Sequence, residues 1–286
     1  MQEKLKIAIQ KSGRLNEQSL KILRECSINI DNGKDQLKAS ARNFPLEVLY
    51  LRNSDIPQYI EDGVAHLGII GENLVVEKQR NISQSMKLGF SKCRLSIAVP
   101  KSVDYPGIEY LNGKRIATSY PNSLRQFLNK NQLNAEIHEI SGSVEIAPNI
   151  GLADAVCDLV SSGSTLFKNN LIEREVILKS EACLVVHPNL PPELQAIYDQ
   201  LIFRLRSVLA SRNNKYLLMN VPDNQIEAII NILPGMKSPT VMPLAEKGWS
   251  SVHTVINEQR FWEIIGQLKA KGAEGILVIP IEKMIL

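Results

Sequence analysis

The sequence predicts an α/β protein of three units: two small lobes that echo each other and a C-terminal α/β sandwich. Three observations carry this. "IAIQKS" at 7–12 returns as "IAVPKS" at 97–102. "GVAHLGIIGENL", residues 63–74, returns as "DAVCDLVSSGSTL", residues 154–166, once Gly71 is set on Gly163. Two echoes at an offset of about ninety residues point to a duplicated unit. Beyond residue 215 the pattern changes to strand, helix, strand, strand, helix, strand.

In chain order, "LKIAIQ" reads as a strand running into "KSGRLNEQSLKIL", a glycine turn and an amphipathic helix. "VLYLRNSDIP" places Arg52 at a second strand exit. "LSIAVPKSV" should open the second lobe, and "GKRIAT" reads as a loop entering a strand with solvated cations. Ala155–Val160 is a short apolar, β-branched run, the signature of a buried strand. Ser161, Ser162, Gly163, Ser164 and Thr165 then form a turn of small residues, and "TLFKNN" restarts as a helix. Each lobe should be a mostly parallel sheet with helices on its faces. Ligands of such sheets sit at the carboxyl ends of the strands, so the turns at 11–14, 68–73 and 161–165 should face one cleft. "LASRNNK", 209–215, is a plausible linker. After it come the strand "YLLMNVP", the helix "DNQIEAIINIL" closed by Pro234-Gly235, and the strands "PTVMPLA" and "SSVHTVI". The helix "NEQRFWEIIGQLKAKGA" and the strand "EGILVIPI" complete a ferredoxin-like βαββαβ order.

Bulk properties narrow the function. A chain of 286 residues with 44% hydrophobic and 22% charged residues is an ordinary globular composition. A dispersed net charge of +3 gives no footprint for nucleic acid but suits polyanionic small molecules. Cys26, Cys93, Cys157 and Cys183 are far apart and the histidines are scattered, so neither a disulfide framework nor a zinc site is indicated. The start has no secretory core and no apolar stretch reaches membrane-spanning length, so a cytoplasmic protein without membrane partners is expected.

The chemistry concentrates at the strand ends. Small residues entering a helix leave unpaired N–H groups at a positive dipole end, a seat for phosphate, although a plain Ser or Thr N-cap reads the same way. Asp158 lies inside an apolar strand and needs a partner; Asp154 precedes it, and Glu145 in "SGSVE" is either a second acceptor or a helix-capping residue. Carboxylates beside a phosphate seat suit the vicinal hydroxyls of a sugar. Lys11, Arg14 after Gly13, and Arg52 are cations at strand exits, either solvated or arranged for a second phosphate group. His66, His138 and His253 have no nucleophile pattern beside them and read as structural.

The stretches "KSGRL", "LRNSDIPQYIEDGVAHLGIIGEN", "GSVEIAPNIGLADAVCDLVSSGSTL", "LPGMKSPTVMPLA" and "GAEGILVIPIEKM" resemble the long form of ATP phosphoribosyltransferase, the first enzyme of histidine biosynthesis. The resemblance spans essentially the whole chain. It implies a two-lobed, periplasmic-binding-protein-like catalytic core with a ferredoxin-like regulatory domain. The expected boundaries are 1–96 with 182–211 for lobe I, 97–181 for lobe II and 216–286 for the regulatory domain. The implied reaction joins N1 of ATP to C1 of 5-phosphoribosyl diphosphate (PRPP) and releases pyrophosphate. Residues 161–165 would then hold the 5-phosphate, while Glu145, Asp158 and Asp154 would take the ribose. Arg14 and Arg52 would act on the diphosphate, and Lys11, Gly13, Arg14 and Gly71 would lie on the ATP side. Mg²⁺ would be carried by the pyrophosphate, with no protein cluster holding it. Histidine would bind at Asn220 and Thr240 as feedback inhibitor of a homo-oligomer, dimeric and hexameric. Two other readings stay open on the residues alone: a phosphoribosyltransferase acting on another base, and a ligand-binding regulator without turnover.

Overall fold

The computed structural model describes residues 3–31, 37–233 and 238–285. The chain forms two compact units, Met1–Tyr198 and Asp199–Leu286.

The first unit holds two sheets. One contains β1 (Leu5–Gln10), β2 (Lys38–Ser40), β3 (Leu46–Leu51), β4 (Leu67–Gly71) and β5 (Ser83–Lys87), with β11 (Ala182–Val186) returning late in the chain, in the order β2-β3-β1-β4-β11-β5. Helices α1 (Arg14–Glu25), α2 (Ile56–Glu61) and α3 (Glu72–Lys78) connect its strands. The other contains β6 (Cys93–Pro100), β7 (Arg115–Thr118), β8 (Glu136–Glu139), β9 (Ala155–Val160) and β10 (Leu171–Ser180), in the order β8-β7-β9-β6-β10, with helices α4 (Pro121–Lys130) and α5 (Ser164–Lys168). In the first sheet β3, β1 and β4 are parallel, then β11 and β5 alternate direction. In the second, β8, β7 and β9 are parallel, then β6 and β10 alternate in the same way.

Apart from the extra edge strand β2, the two sheets repeat one order and one set of directions, as a duplicated unit would, but one echo that suggested it is corrected. β6, which carries "IAVP", occupies the place of β11, not of β1; the counterpart of β1 is β7. The short match reflects only that buried strands in both places need similar apolar runs. The second echo is structural: Gly71, the last residue of β4, and Gly163, three residues beyond the end of β9, are the N-caps of α3 and α5, which follow strands in equivalent places of the two sheets. Nor are the sheets mostly parallel, because each crossing between lobes enters the new sheet as an antiparallel strand. β6 begins at Cys93 and lies wholly in the second sheet, so a boundary at 96 cuts a strand; the crossings fall at 88–92 and at Glu181.

The 209–215 stretch is no linker. Helix α6 (Pro192–Ser211) runs to Ser211 and β12 (Asn214–Pro222) starts at Asn214. Asn214 Nδ2 satisfies a carbonyl of the helix end, that of Ala210, at 2.7 Å, and Ser211 Oγ ties the same end to the Glu282 carbonyl at 2.9 Å. The remaining elements are α7 (Ile226–Ile232), β13 (Thr240–Pro243), β14 (Trp249–Asn257), α8 (Glu258–Ala270) and β15 (Glu274–Pro280). The sheet order β13-β14-β12-β15, antiparallel throughout, is the ferredoxin-like arrangement that the element order predicts. Leu217, Met219 and Val221 alternate inward onto Ile229, Phe261, Ile264 and Leu268. The expected turn at Pro234-Gly235 lies outside the described residues.

Candidate active site

The alternation of β9 explains its carboxylate. Val156 and Val160 pack with Val144, Ala147 and Leu166 on one face, and Asp158 stands between them on that same face. Burial pushes the Asp158 carboxyl above its ordinary range. The N–H of Leu159, donating to its Oδ1 at 2.7 Å, works against the shift, and nearby Glu145 adds to it. A carboxylate held this way is short of donors.

At the strand's end, Gly163 takes φ 79° as the N-cap of α5, a left-handed conformation that favours glycine. An added Cβ would find only Val160 at 4.0 Å, so backbone conformation and not space requires the glycine. Ser164 and Thr165, expected in the turn, are already in the first turn of α5. Ser162 and Ser164 hydroxyls lie 3.1 Å apart. Glu145, Asp158 and residues 161–165 line one cavity of about 280 Å³. Glu145 belongs to a short 3₁₀ turn, Val144–Ile146, whose preceding Ser143 makes no side-chain cap.

Asp154 does not join them. Its carboxylate accepts from the backbone N–H of Arg115 at 2.9 Å and from the guanidinium at 3.2 and 3.1 Å. These bonds hold the Asp154 carboxyl below its ordinary range, and it sits before β9 begins, at the end away from the turn. The same pair corrects the reading of "GKRIAT": Arg115 is bonded to Asp154 and to the Gly151 carbonyl at 3.0 Å, not simply solvated.

In the first lobe, the parallel register sets Gln10 beside Leu51, and Lys11 N donates to the Leu51 carbonyl at 2.7 Å. Lys11 and Arg52 thus leave adjacent strand ends together. Gly13, at φ 86°, caps α1, whose first residue is Arg14. Lys11, Arg14 and Arg52 are exposed. Gly71 has a packing reason of its own: an added Cβ would come within 2.2 Å of Asn73 Oδ1, which accepts from Ser180 Oγ at 2.9 Å. The two lobes meet at a second cavity of about 510 Å³, lined by Glu72 and Lys87 from one and by Arg94, Ser161 and Lys179 from the other. Glu77 of α3 also reaches across, accepting from the N–H groups of Asn122 and Ser123 at the start of α4.

A family model described as ATP phosphoribosyltransferase, HisG, matches residues 52–207, and the HisG C-terminal domain matches 211–283. The ATP phosphoribosyltransferase of Cytophaga hutchinsonii is 58% identical over 281 residues, 98% of each chain. The chain belongs to the ATP phosphoribosyltransferase family. The ATP phosphoribosyltransferase of Phocaeicola vulgatus is 56% identical, covering 99% of this chain and all of that one. Among solved structures, the HisG:HisZ complex from Thermotoga maritima superposes with a TM-score of 0.60 at 27% identity, covering 71% of this chain and 98% of that chain. The protein is thus a transferase of the first step of histidine biosynthesis, with ATP and PRPP as substrates. ATP phosphoribosyltransferases need a divalent metal. Among the described residues no group of three or more His, Cys, Asp or Glu side chains is placed to hold one, and no helix is long and apolar enough to cross a membrane.

In the second unit, Thr240 pairs with His253, and Asn220 with Ser251 two residues along β14, so all four share the sheet face opposite the core. Thr240 and Asn220 are two strands apart and offset by two residues, roughly 12 Å. Between them His253 bonds the Tyr216 hydroxyl at 2.8 Å and the Ser251 hydroxyl at 2.9 Å. His66 accepts the Lys6 N–H at Nδ1 at 3.0 Å, in keeping with the structural reading of it.

Proposed function

We propose that the cavity at the end of β9 binds PRPP, and that the cationic strand ends of lobe I bind the ATP phosphates and the departing diphosphate. The observation that carries this is one cavity combining a turn of hydroxyls and helix-entry N–H groups with the paired carboxylates of Glu145 and Asp158. The turn takes the 5-phosphate. Asp158 and Glu145 accept hydrogen bonds from the ribose hydroxyls, which relieve a carboxylate buried without a cation. Asp154 is left out, being held by Arg115.

With PRPP fixed, N1 of adenine uses its own lone pair to form the bond to C1. The C1–oxygen bond breaks, and its electron pair leaves with the diphosphate. A divalent cation carried by PRPP would supply charge neutralisation at the diphosphate, with no cluster among the described residues holding it. Lys11, Arg14 and Arg52 stabilise the charge that grows on the leaving group. No side chain is required as a base, so catalysis is positioning and electrostatics. Gly13 supports this by letting α1 begin with Arg14 at the strand end.

For regulation, we propose that histidine binds at the outer face of the second unit's sheet near Thr240 and Asn220, in a cytoplasmic homo-oligomer that shifts between dimer and hexamer. The spacing of the two residues suits a ligand bridging over His253 better than one held by both directly. The decisive experiment follows pyrophosphate release from ATP and PRPP, with and without histidine. Release requiring both substrates, Mg²⁺ and an intact Thr165 supports the reading; undiminished turnover of PRPP by Thr165→Val refutes the assignment of the turn.

A further inference from the structure

One face of the second sheet holds a charged network beneath the phosphate turn. Arg94 on β6 is opposite Val160, and Ser96 is opposite Asp158. Arg94 grips the Glu173 carboxylate with Nε and Nη2, while its Nη1 donates to the carbonyl of Ser161, the first residue of the turn, at 3.3 Å. Ser96 Oγ donates to the same Glu173 carboxylate at 2.7 Å. Glu173 reaches them from the edge strand β10, where the register slips between Glu173 and Glu175.

Two consequences follow from this placement. Arg94 ties the turn's first carbonyl to a fixed point on the sheet. It is also a diagonal neighbour of Asp158 across an antiparallel pair, some 7–8 Å away at the backbone and within reach of an arginine. With Arg94 turned toward Glu173, no cation figures among the groups acting on Asp158.

We infer that Arg94 and Glu173 are positioning residues for PRPP: Arg94 anchors the phosphate turn through Ser161, and Glu173 keeps Arg94 from capturing Asp158, leaving that carboxylate free for the ribose. This rests on the proposed PRPP reading of the cavity. Sequence reading missed the pair because Arg94 and Glu173 lie 79 residues apart and neither sits in a motif.

The test uses Arg94→Ala, Glu173→Gln and the double variant in the full-length protein, measuring KM for each substrate, kcat and thermal midpoint, with ribose 5-phosphate binding by calorimetry. Both single variants should raise the PRPP KM about tenfold, the factor equivalent to 1.4 kcal/mol. Ribose 5-phosphate should weaken in parallel, while the ATP KM stays within about twofold. The double variant should be no worse than Glu173→Gln alone, since removing Arg94 also removes the competitor for Asp158. Unchanged PRPP and ribose 5-phosphate affinities, or equal losses for ATP and PRPP with a lowered midpoint, would overturn the inference. Thr165→Val separates the two failures. If it raises the PRPP KM while Arg94→Ala does not, only the positioning role is lost; if neither does, the PRPP reading itself fails.

Discussion

Two aspartates four positions apart have opposite fates, and the contrast can be measured. Asp154 is held below the ordinary carboxylate range by Arg115. Its stabilisation is therefore present above the unfolded value and is lost as pH falls through the depressed folded one. Asp154→Asn should lower the thermal midpoint at neutral pH, with the gap to wild type closing in acid and the PRPP KM unchanged. Asp158 is held above its ordinary range by burial, so ionising it costs stability as pH rises through that range. Asp158→Asn should unfold at a higher temperature at neutral pH, yet lose PRPP affinity by the 1.5–3 kcal/mol typical of a hydrogen bond to a charged group. Melting curves across pH 3–8 beside PRPP kinetics check both; a lost PRPP affinity in Asp154→Asn would return that residue to the site. The pattern "DAVCDLV" marks both as exceptional. Which one is free depends on Arg115, 39 residues away, and no local signal carries that.

At the level of elements, the contact between α3 and α4 is the clearest bridge between lobes. Glu77 is 5% exposed and accepts from Asn122 N, Ser123 N and Ser123 Oγ at 3.0, 2.9 and 2.8 Å, capping the first turn of α4 from the other lobe. Glu77→Ala leaves those donors unpaired and should cost about 1–3 kcal/mol in denaturant unfolding. A loss below a few tenths would show that the cap contributes nothing to joining the lobes. Arg14 and Arg52 belong to elements in a different sense, since each is placed by where a strand stops. Alanine at either should raise the ATP KM or lower kcat, and lysine should restore only part because it lacks the planar fork. Wild-type steady-state constants in both alanine variants would remove that strand end from the site. The carbonyl ends of β1 and β9 were legible because glycine and hydroxyl residues follow apolar runs there. The antiparallel role of β6 was not, since a run buried on both faces looks the same in either direction.

Over the whole molecule, the proposed regulation by histidine is the property that would need both units. Deleting 216–286 is a poor test, because Ser211 donates to Glu282, and the Met284 N–H to the Ser207 carbonyl, so the end of α6 is bonded into the part removed. Point variants in the intact chain are cleaner. Thr240→Val should weaken histidine inhibition at least fivefold with uninhibited kinetics unchanged, the lower end of a typical allosteric coupling of 1–3 kcal/mol. Undiminished inhibition in Thr240→Val and Asn220→Ala alike would place histidine elsewhere. The sequence by itself determined the α/β class, the ferredoxin-like order of the last seventy residues, the small-residue turn after β9 and the family. These are written in local periodicity and in short runs whose chemistry is complete within a dozen residues. Tertiary structure decided which echo was the true duplication, which aspartate stays unpaired, and that Arg94 and Glu173 stand under the turn. Each of those depends on strand order and on side chains far apart in the chain, and a strand's pattern of burial does not say which strand will lie beside it.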